Sequence, residues 1–238
     1  MKKLLCAFIA LVSVAAAAKD KDKVTALPAG AAAELSGKVL AVTRHKKADF
    51  TAFTAGKATF ALLGAGAMIV AGNKIVEENQ IADPADILEA ELAPAVARKF
   101  GMTLKPGSGL FVDGSKPKQI VAVQPEADYI LDLQSNGWNF AYYPSDWNTY
   151  WIGYAVQASL FDKSGKQLSK MSCYTDTQKH PKSPGKDEML ANDAQLLKDV
   201  TASLGWICLQ RVAKQEFGLA EGEVTATPAE LTDPLGKR

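Results

Sequence analysis

Histidine is nearly absent from this chain of 238 residues, which holds His45 and His180 alone. A Cys/His metal site is thereby excluded unless the fold brings both histidines together. Cysteine is equally scarce, with Cys6, Cys173 and Cys208. Long apolar runs are missing as well. Neither residues 4–14 nor the uncharged stretch 58–72 reaches the roughly 20 residues a membrane-spanning helix needs. Charge excess is absent, with 27 Lys and Arg against 26 Asp and Glu. The one basic cluster, Arg44-His45-Lys46-Lys47, is too short for a nucleic-acid footprint and reads as a solvated strand end. Catalytic signatures are lacking too. There is no helical His pair and no Gly-x-Ser-x-Gly, and Gly107-Ser108-Gly109 reads as a turn. Gly64-Ala65-Gly66 lacks the third glycine of a dinucleotide loop. No metal and no cofactor is expected.

What is present begins with an export signal over residues 1–18. Lys2 and Lys3 form its positive start, residues 4–14 its apolar stretch, and Ala15 to Ala18 supply small residues for cleavage. Lys19-Asp20-Lys21-Asp22-Lys23 stops the apolar run. Cys6 lies too early to be a lipidation site, so lipid anchoring is not expected. Cleavage removes two lysines and leaves 25 basic against 26 acidic residues, an electrically balanced protein expected in the periplasm or outside the cell. It also leaves an even pair of cysteines in an oxidising compartment, and Cys173 with Cys208 reads as a disulfide. Closing that loop stabilises a fold by about 3 to 4 kcal/mol.

Residues 19–37 read as a linker, 38–218 as a single α+β domain and 219–238 as a flexible tail. Residues 39–43 form a short buried strand. The stretch 58–72 has two readings. One is a small-residue helix or bent hairpin, with Gly64, Gly66 and Gly72 allowing close backbone approach. The other is a membrane-active segment, with Ala61/Ala65 and Ala67/Ala71 at the spacing that packs helices in lipid. Asp83-Pro84 opens a helix running to Phe100 and ending at Gly101, with a kink or restart near Ala93 imposed by Pro94. Residues 120–123 suit a short strand or a short helix. Alternation of Tyr129, Leu131 and Leu133 with polar residues gives a half-buried strand, and Asn136-Gly137 marks a hairpin or a bulge. Ile152, Tyr154, Val156, Ala158 and Leu160 alternate on the next strand, residues 162–165 turn, and residues 167–175 return. After Asp187, one helical stripe of Leu190, Ala194, Leu197, Thr201, Leu204 and Cys208 faces the sheet. The expected fold is an antiparallel meander sheet packed by this long C-terminal helix and a second helix.

Eight aromatic residues crowd between Trp138 and Tyr154. Rings beside amides suit a platform for sugars or peptides, and the candidate contact surface comprises Trp138, Phe140, Tyr142, Tyr143, Asp146, Trp147, Tyr150 and Trp151. The competing reading is that these rings simply cover the sheet. Asp132, Asp146 and Asp162 offer a carboxylate pair for a hydrolase if they converge in one cleft.

The run from Ala127 to Trp138, Ala-Asp-Tyr-Ile-Leu-Asp-Leu-Gln-Ser-Asn-Gly-Trp, followed by Tyr143-Pro144-Ser145-Asp146-Trp147-Asn148-x-Tyr150, resembles a family of uncharacterised exported bacterial proteins. The order of elements is also similar to small α/β modules of bacterial envelope proteins, such as those in curli-secretion and Tol-associated proteins. The resemblance implies an envelope protein. The expected function is a non-enzymatic periplasmic protein that binds an envelope component or a protein partner. Rival readings are an envelope assembly subunit that associates with the membrane through residues 58–72, and a periplasmic hydrolase.

Overall fold

Alternating apolar side chains build a meander, but the sheet extends beyond it in a second direction. The computed structural model describes residues 23–54, 64–107 and 109–237. The expected export signal, and residues 58–63 of the glycine-rich stretch, lie outside the described residues. In chain order the elements are β1 (Lys23–Thr25), α1 (Ala31–Leu35), β2 (Val39–His45), β3 (Phe50–Phe53) and α2 (Gly64–Glu78). There follow α3 (Ala85–Phe100), β4 (Thr103–Leu104), β5 (Leu110–Val112), α4 (Pro117–Ala122) and β6 (Tyr129–Tyr143). The last are β7 (Asp146–Asp162), β8 (Gln167–Asp176) and α5 (Lys186–Gln215), with a 3-10 turn at Ala229–Leu231.

Strands β6, β7 and β8 form the expected antiparallel meander. The sheet as a whole is mixed, which corrects the purely antiparallel expectation. Leu40 to Arg44 of β2 pair in parallel with Tyr129 to Leu133 of β6, and Phe50 to Phe53 of β3 pair in parallel with Trp138 to Ala141 farther along β6. On its other edge β2 pairs in parallel with β4 and β5. The cause is the connections. Helices α2 and α3 between β3 and β4, and α4 between β5 and β6, return the chain along the sheet, so each next strand re-enters in the direction of β2.

One face of the sheet, the front, packs against α3 and α5. Leu40, Val42, Leu131, Leu133, Phe140, Ile152, Tyr154 and Val156 meet Leu88, Leu92, Val96, Leu197, Leu204 and Leu209 there, all buried. The back face carries a smaller core of Ala41, Val112, Ile130 and Phe161 under Ile120 of α4. Residues 120–123, open between strand and helix in the sequence, thus sit on and just after a helix.

Asp83 Oδ1 accepts the N–H of Ala85 at 2.9 Å to open α3, and Gly101 closes it with φ 63°. The helix passes through Pro94 as one span instead of restarting. In α5 the expected stripe holds, but Asn192, Asp193 and Ala194 adopt left-handed backbone, φ 52°, 55° and 56°, and divide the element into two helical pieces. Cys173 on β8 is disulfide-bonded to Cys208 on α5, with Cα atoms 5.7 Å apart, and clamps helix to sheet. Helix α2 lies along the free edge of β3. A side chain at Gly72 would fall 1.8 Å from the Phe50 carbonyl oxygen, and Asn73 Oδ1 accepts the Phe50 N–H at 2.9 Å.

Both ends of the domain run farther than the sequence indicates. Residues 23–25 pair with β8, Leu35 is buried, and the Leu27 N–H donates to the Glu216 carbonyl at 2.9 Å. Residues 219–237 are not a loose tail, because Leu219, Val224 and Leu235 are buried in the main core. These apolar residues are single and aperiodic, so no amphipathic pattern announces them.

Candidate binding surface on the open face of the sheet

Pleating distributes the aromatic run between two faces. On the front, Trp138, Phe140, Tyr150 and Tyr154 are buried. The Phe50 ring meets Trp138 and Phe140 edge-on at 5.1 and 5.7 Å, and Phe140 meets Tyr150 at 5.5 Å. Trp138 Nε1 donates to the Ala48 carbonyl at 2.8 Å. Burial, with Asp83 close by, holds the Tyr154 hydroxyl well above its ordinary value. That hydroxyl lies 3.0 Å from Ser135 Oγ, which donates to Asp83 at 2.5 Å. Trp138, Phe140 and Tyr150, three of the expected contact residues, therefore hold the core.

The hairpin tip takes another part of the set. Trp147 is 54% exposed, its ring 5.9 Å from that of Tyr142. Asp146 caps the turn by accepting from the Asn148 N–H and the Thr149 hydroxyl. Tyr143 donates to the Gln178 carbonyl at 2.9 Å.

Trp151 points to the back face, which no helix among the described residues covers in this half of the sheet. Gly153 is the centre of a convergence there. A Cβ on it would lie 3.0 Å from Trp151 Cζ3, 3.1 Å from Asn139 Oδ1 and 3.2 Å from the Tyr174 hydroxyl. Ring, amide and phenol thus close over the glycine, which has no side chain to hold them apart. Beside them a shallow trough of about 470 Å³ is lined by Asp49, Thr51, Phe53, Asn136, Asn139 and Tyr174, among others. Asp49 accepts from the Asn73 amide. Partial burial, the neighbouring Asp176 charge and a hydrogen bond to that carboxylate push the Tyr174 hydroxyl up to about 12, so it stays neutral at any physiological pH. Thr51, Phe53 and Tyr174 were not singled out by the sequence. They join the surface because Thr51 registers with Asn139, a pairing invisible without the parallel placement of β3, and because Ala155 registers with Gly137 on one side and Tyr174 on the other.

The three acids weighed for hydrolysis do not converge. Asp132 is buried, accepting from Thr43 Oγ1 at 2.7 Å and lying 2.9 Å from His45 Nε2. Asp146 and Asp162 stand at opposite ends of β7, about 50 Å apart at the usual strand rise. Burial raises the Asp162 carboxyl, but hydrogen bonds from Ser164 and Lys166 outweigh it and leave the group below its ordinary value. His180 lies elsewhere, 3.1 Å from Asp233. Among the described residues no group of three or more His, Cys, Asp and Glu is placed to hold a metal ion. The basic cluster disperses as well. Arg44 binds Asp86 and Glu89 on the front, His45 meets Asp132 on the back, and Lys47 donates to the Ile81 carbonyl.

No family model and no curated protein matches the chain. Among solved structures it is similar to a PelC dodecamer from Paraburkholderia phytofirmans, at 14% identity over 83% of this chain and 98% of that one, with a TM-score of 0.34. It is also similar to the lipoprotein GNA1162 from Neisseria meningitidis, at 13% identity over 72% and 98% of the two chains, TM-score 0.28. A third is the protein CT253 from Chlamydia trachomatis, at 11% identity over 76% and 98%, TM-score 0.27. Likeness of this degree carries no weight in assigning a site.

Proposed function

We propose that this is an exported, non-enzymatic binding protein that engages a neutral glycan chain of the cell envelope on the open back face of its sheet. The observation that carries the reading is the convergence of Trp151, Asn139 and Tyr174 over Gly153. An indole face packs against the C–H face of a sugar ring, while amide and phenol groups bond its hydroxyls. The adjoining trough supports a long, shallow ligand, since it is open and its acid, Asp49, is already engaged by Asn73. The export signal and the buried disulfide support a location outside the cytoplasm, and no described helix is long and apolar enough to cross a membrane.

The test is titration of the chain lacking residues 1–18 with chitohexaose and with a neutral glucan hexamer, followed by tryptophan fluorescence. At least one of them is expected to bind, with affinity falling tenfold or more in Trp151→Ala and unchanged in Trp147→Ala. Absence of binding to both, or equal affinity in Trp151→Ala, sinks the proposal. The rivals separate in the same preparation. A hydrolase shortens the oligosaccharide, and an assembly subunit held by residues 58–72 stays with membranes through salt and carbonate washes.

A further inference from the structure

The topology of the sheet creates a second site, independent of the glycan surface. Strand β2 lies between β5 and β6, all three running in parallel. The chain leaving β2 passes through β3 and α2 before it reaches α3, which packs on the front, whereas the chain leaving β5 goes directly to α4, on the back. Where neighbouring parallel strands send their connections to opposite faces, a crevice opens beyond their carboxyl ends, and ligands of open α/β sheets bind there. A cleft of about 610 Å³ occupies this position, lined by Arg44, Lys46, Lys47, Asp83, Asp86, Phe111 and Asp113 together with Ala82. Its size lies within the range of small-molecule sites.

Most of the charges in its wall are already satisfied. Arg44 is held by Asp86 and Glu89, Lys47 by the Ile81 carbonyl, and Asp83 by the Ala85 N–H and Ser135. Lys46 and Asp113 have no hydrogen-bond or ion-pair partner among the described residues. They follow directly after His45 and Val112, the last registered pair of β2 and β5, and so present one cation and one anion on adjacent strand ends. In the same cleft Phe111, in register with Arg44, is 63% exposed, its ring 5.6 Å from the Arg44 guanidinium. A purely anionic ligand meets Asp83, Asp86 and Asp113, and a purely cationic one meets Arg44, Lys46 and Lys47. The complement of this wall is a dipolar ion with an apolar side group.

We propose that the cleft binds a zwitterion of the amino-acid class, a free amino acid or short peptide, with its carboxylate at Lys46, its ammonium at Asp113 and its apolar side chain on Phe111. The test is calorimetric titration of the chain lacking residues 1–18 with free phenylalanine, with the dipeptide alanyl-phenylalanine, and with the N-acetyl and C-amide forms of that dipeptide. Free phenylalanine against the dipeptide tells amino acid from peptide. Blocking either end is expected to weaken binding about tenfold. Asp113→Asn should abolish discrimination against the acetylated form alone, and Lys46→Gln discrimination against the amide alone. These side chains are exposed and unpartnered, so both variants are expected to fold, and Trp151→Ala should leave this binding unchanged. Absence of heat with both free phenylalanine and the dipeptide, indifference to the two blocked ends, or Lys46-dependent binding of inorganic phosphate alone overturns the proposal.

Discussion

Glu216 is a carboxyl buried in the fold, and its burial ties stability to pH. It sits at the end of α5, 1% exposed, with Ser169 Oγ donating to Oε1 at 2.8 Å and Oε2 buried without a partner. Burial pushes its carboxyl well above the ordinary 4.5, against the hydrogen bonds from Ser169 and the Met171 backbone. Between 4.5 and the raised native value the unfolded chain has released this proton and the native chain keeps it. The native state then binds more protons, and stability falls as pH rises, at most by about 1.4 kcal/mol per pH unit for one group. Glu216→Gln keeps the neutral shape and removes the titration. Denaturant melts at pH 4 and pH 8 are expected to show little change at the lower pH and a gain of at least 1 to 2 kcal/mol at the higher. A variant less stable than the parent at pH 8 would show that the ionised carboxylate is accommodated. At this scale the sequence was only partly legible. Asp83 was readable as a helix opener because its partner lies two residues away. Glu216, Asp132 and Gly153 were not, because their partners come from strands whose register depends on the whole sheet.

Among the elements, the meander and α5 were the most legible, since period 2 and a four-residue stripe are local signals. The parallel pairing of β2 was hidden, because seven residues of buried strand read alike beside a parallel or an antiparallel neighbour. The break at Asn192 and Asp193 was also hidden, being two polar residues in an otherwise helical pattern, of the types that best tolerate left-handed backbone. Helix α5 therefore depends on tertiary anchors more than an unbroken helix does, and the Cys173–Cys208 bond is the covalent one. Replacing both cysteines by serine frees a loop of sequence separation 35 and is expected to cost about 3 kcal/mol, a fall of about 6 to 12 °C in melting temperature for a domain of this size. The measurement is a thermal melt of the oxidised parent and the double variant. Equal melting temperatures would show that the helix is held by packing alone.

Across the whole molecule, one core is shared between the meander, two helices and both chain ends. Residues 219–237 run along α3 and α5, with Leu219, Val224 and Leu235 buried, and Leu235 and Pro234 lie beside Val200, Leu204 and Ile207 of α5. Polar ties fix the segment along its length. Lys99 pairs with Glu223 at 3.0 Å, Gln210 donates to the Thr225 carbonyl at 2.7 Å, and His180 lies 3.1 Å from Asp233. Exposed ties of this kind contribute little individually, so the apolar residues decide the balance. Burying each is worth about 1.5 to 3 kcal/mol, and ordering the segment returns a large part of that sum. Deleting residues 219–238 is expected to cost on the order of 3 kcal/mol, a drop of about 6 to 12 °C in melting temperature, and to speed amide exchange in residues 197–208 of α5. Loss of the segment leaves the back face and the β2–β5 cleft intact, so glycan and dipeptide titrations below the new melting point should match the parent. An unchanged melting temperature would return the segment to the loose tail its composition suggests, and lost ligand binding would mean that the two binding surfaces depend on the chain end.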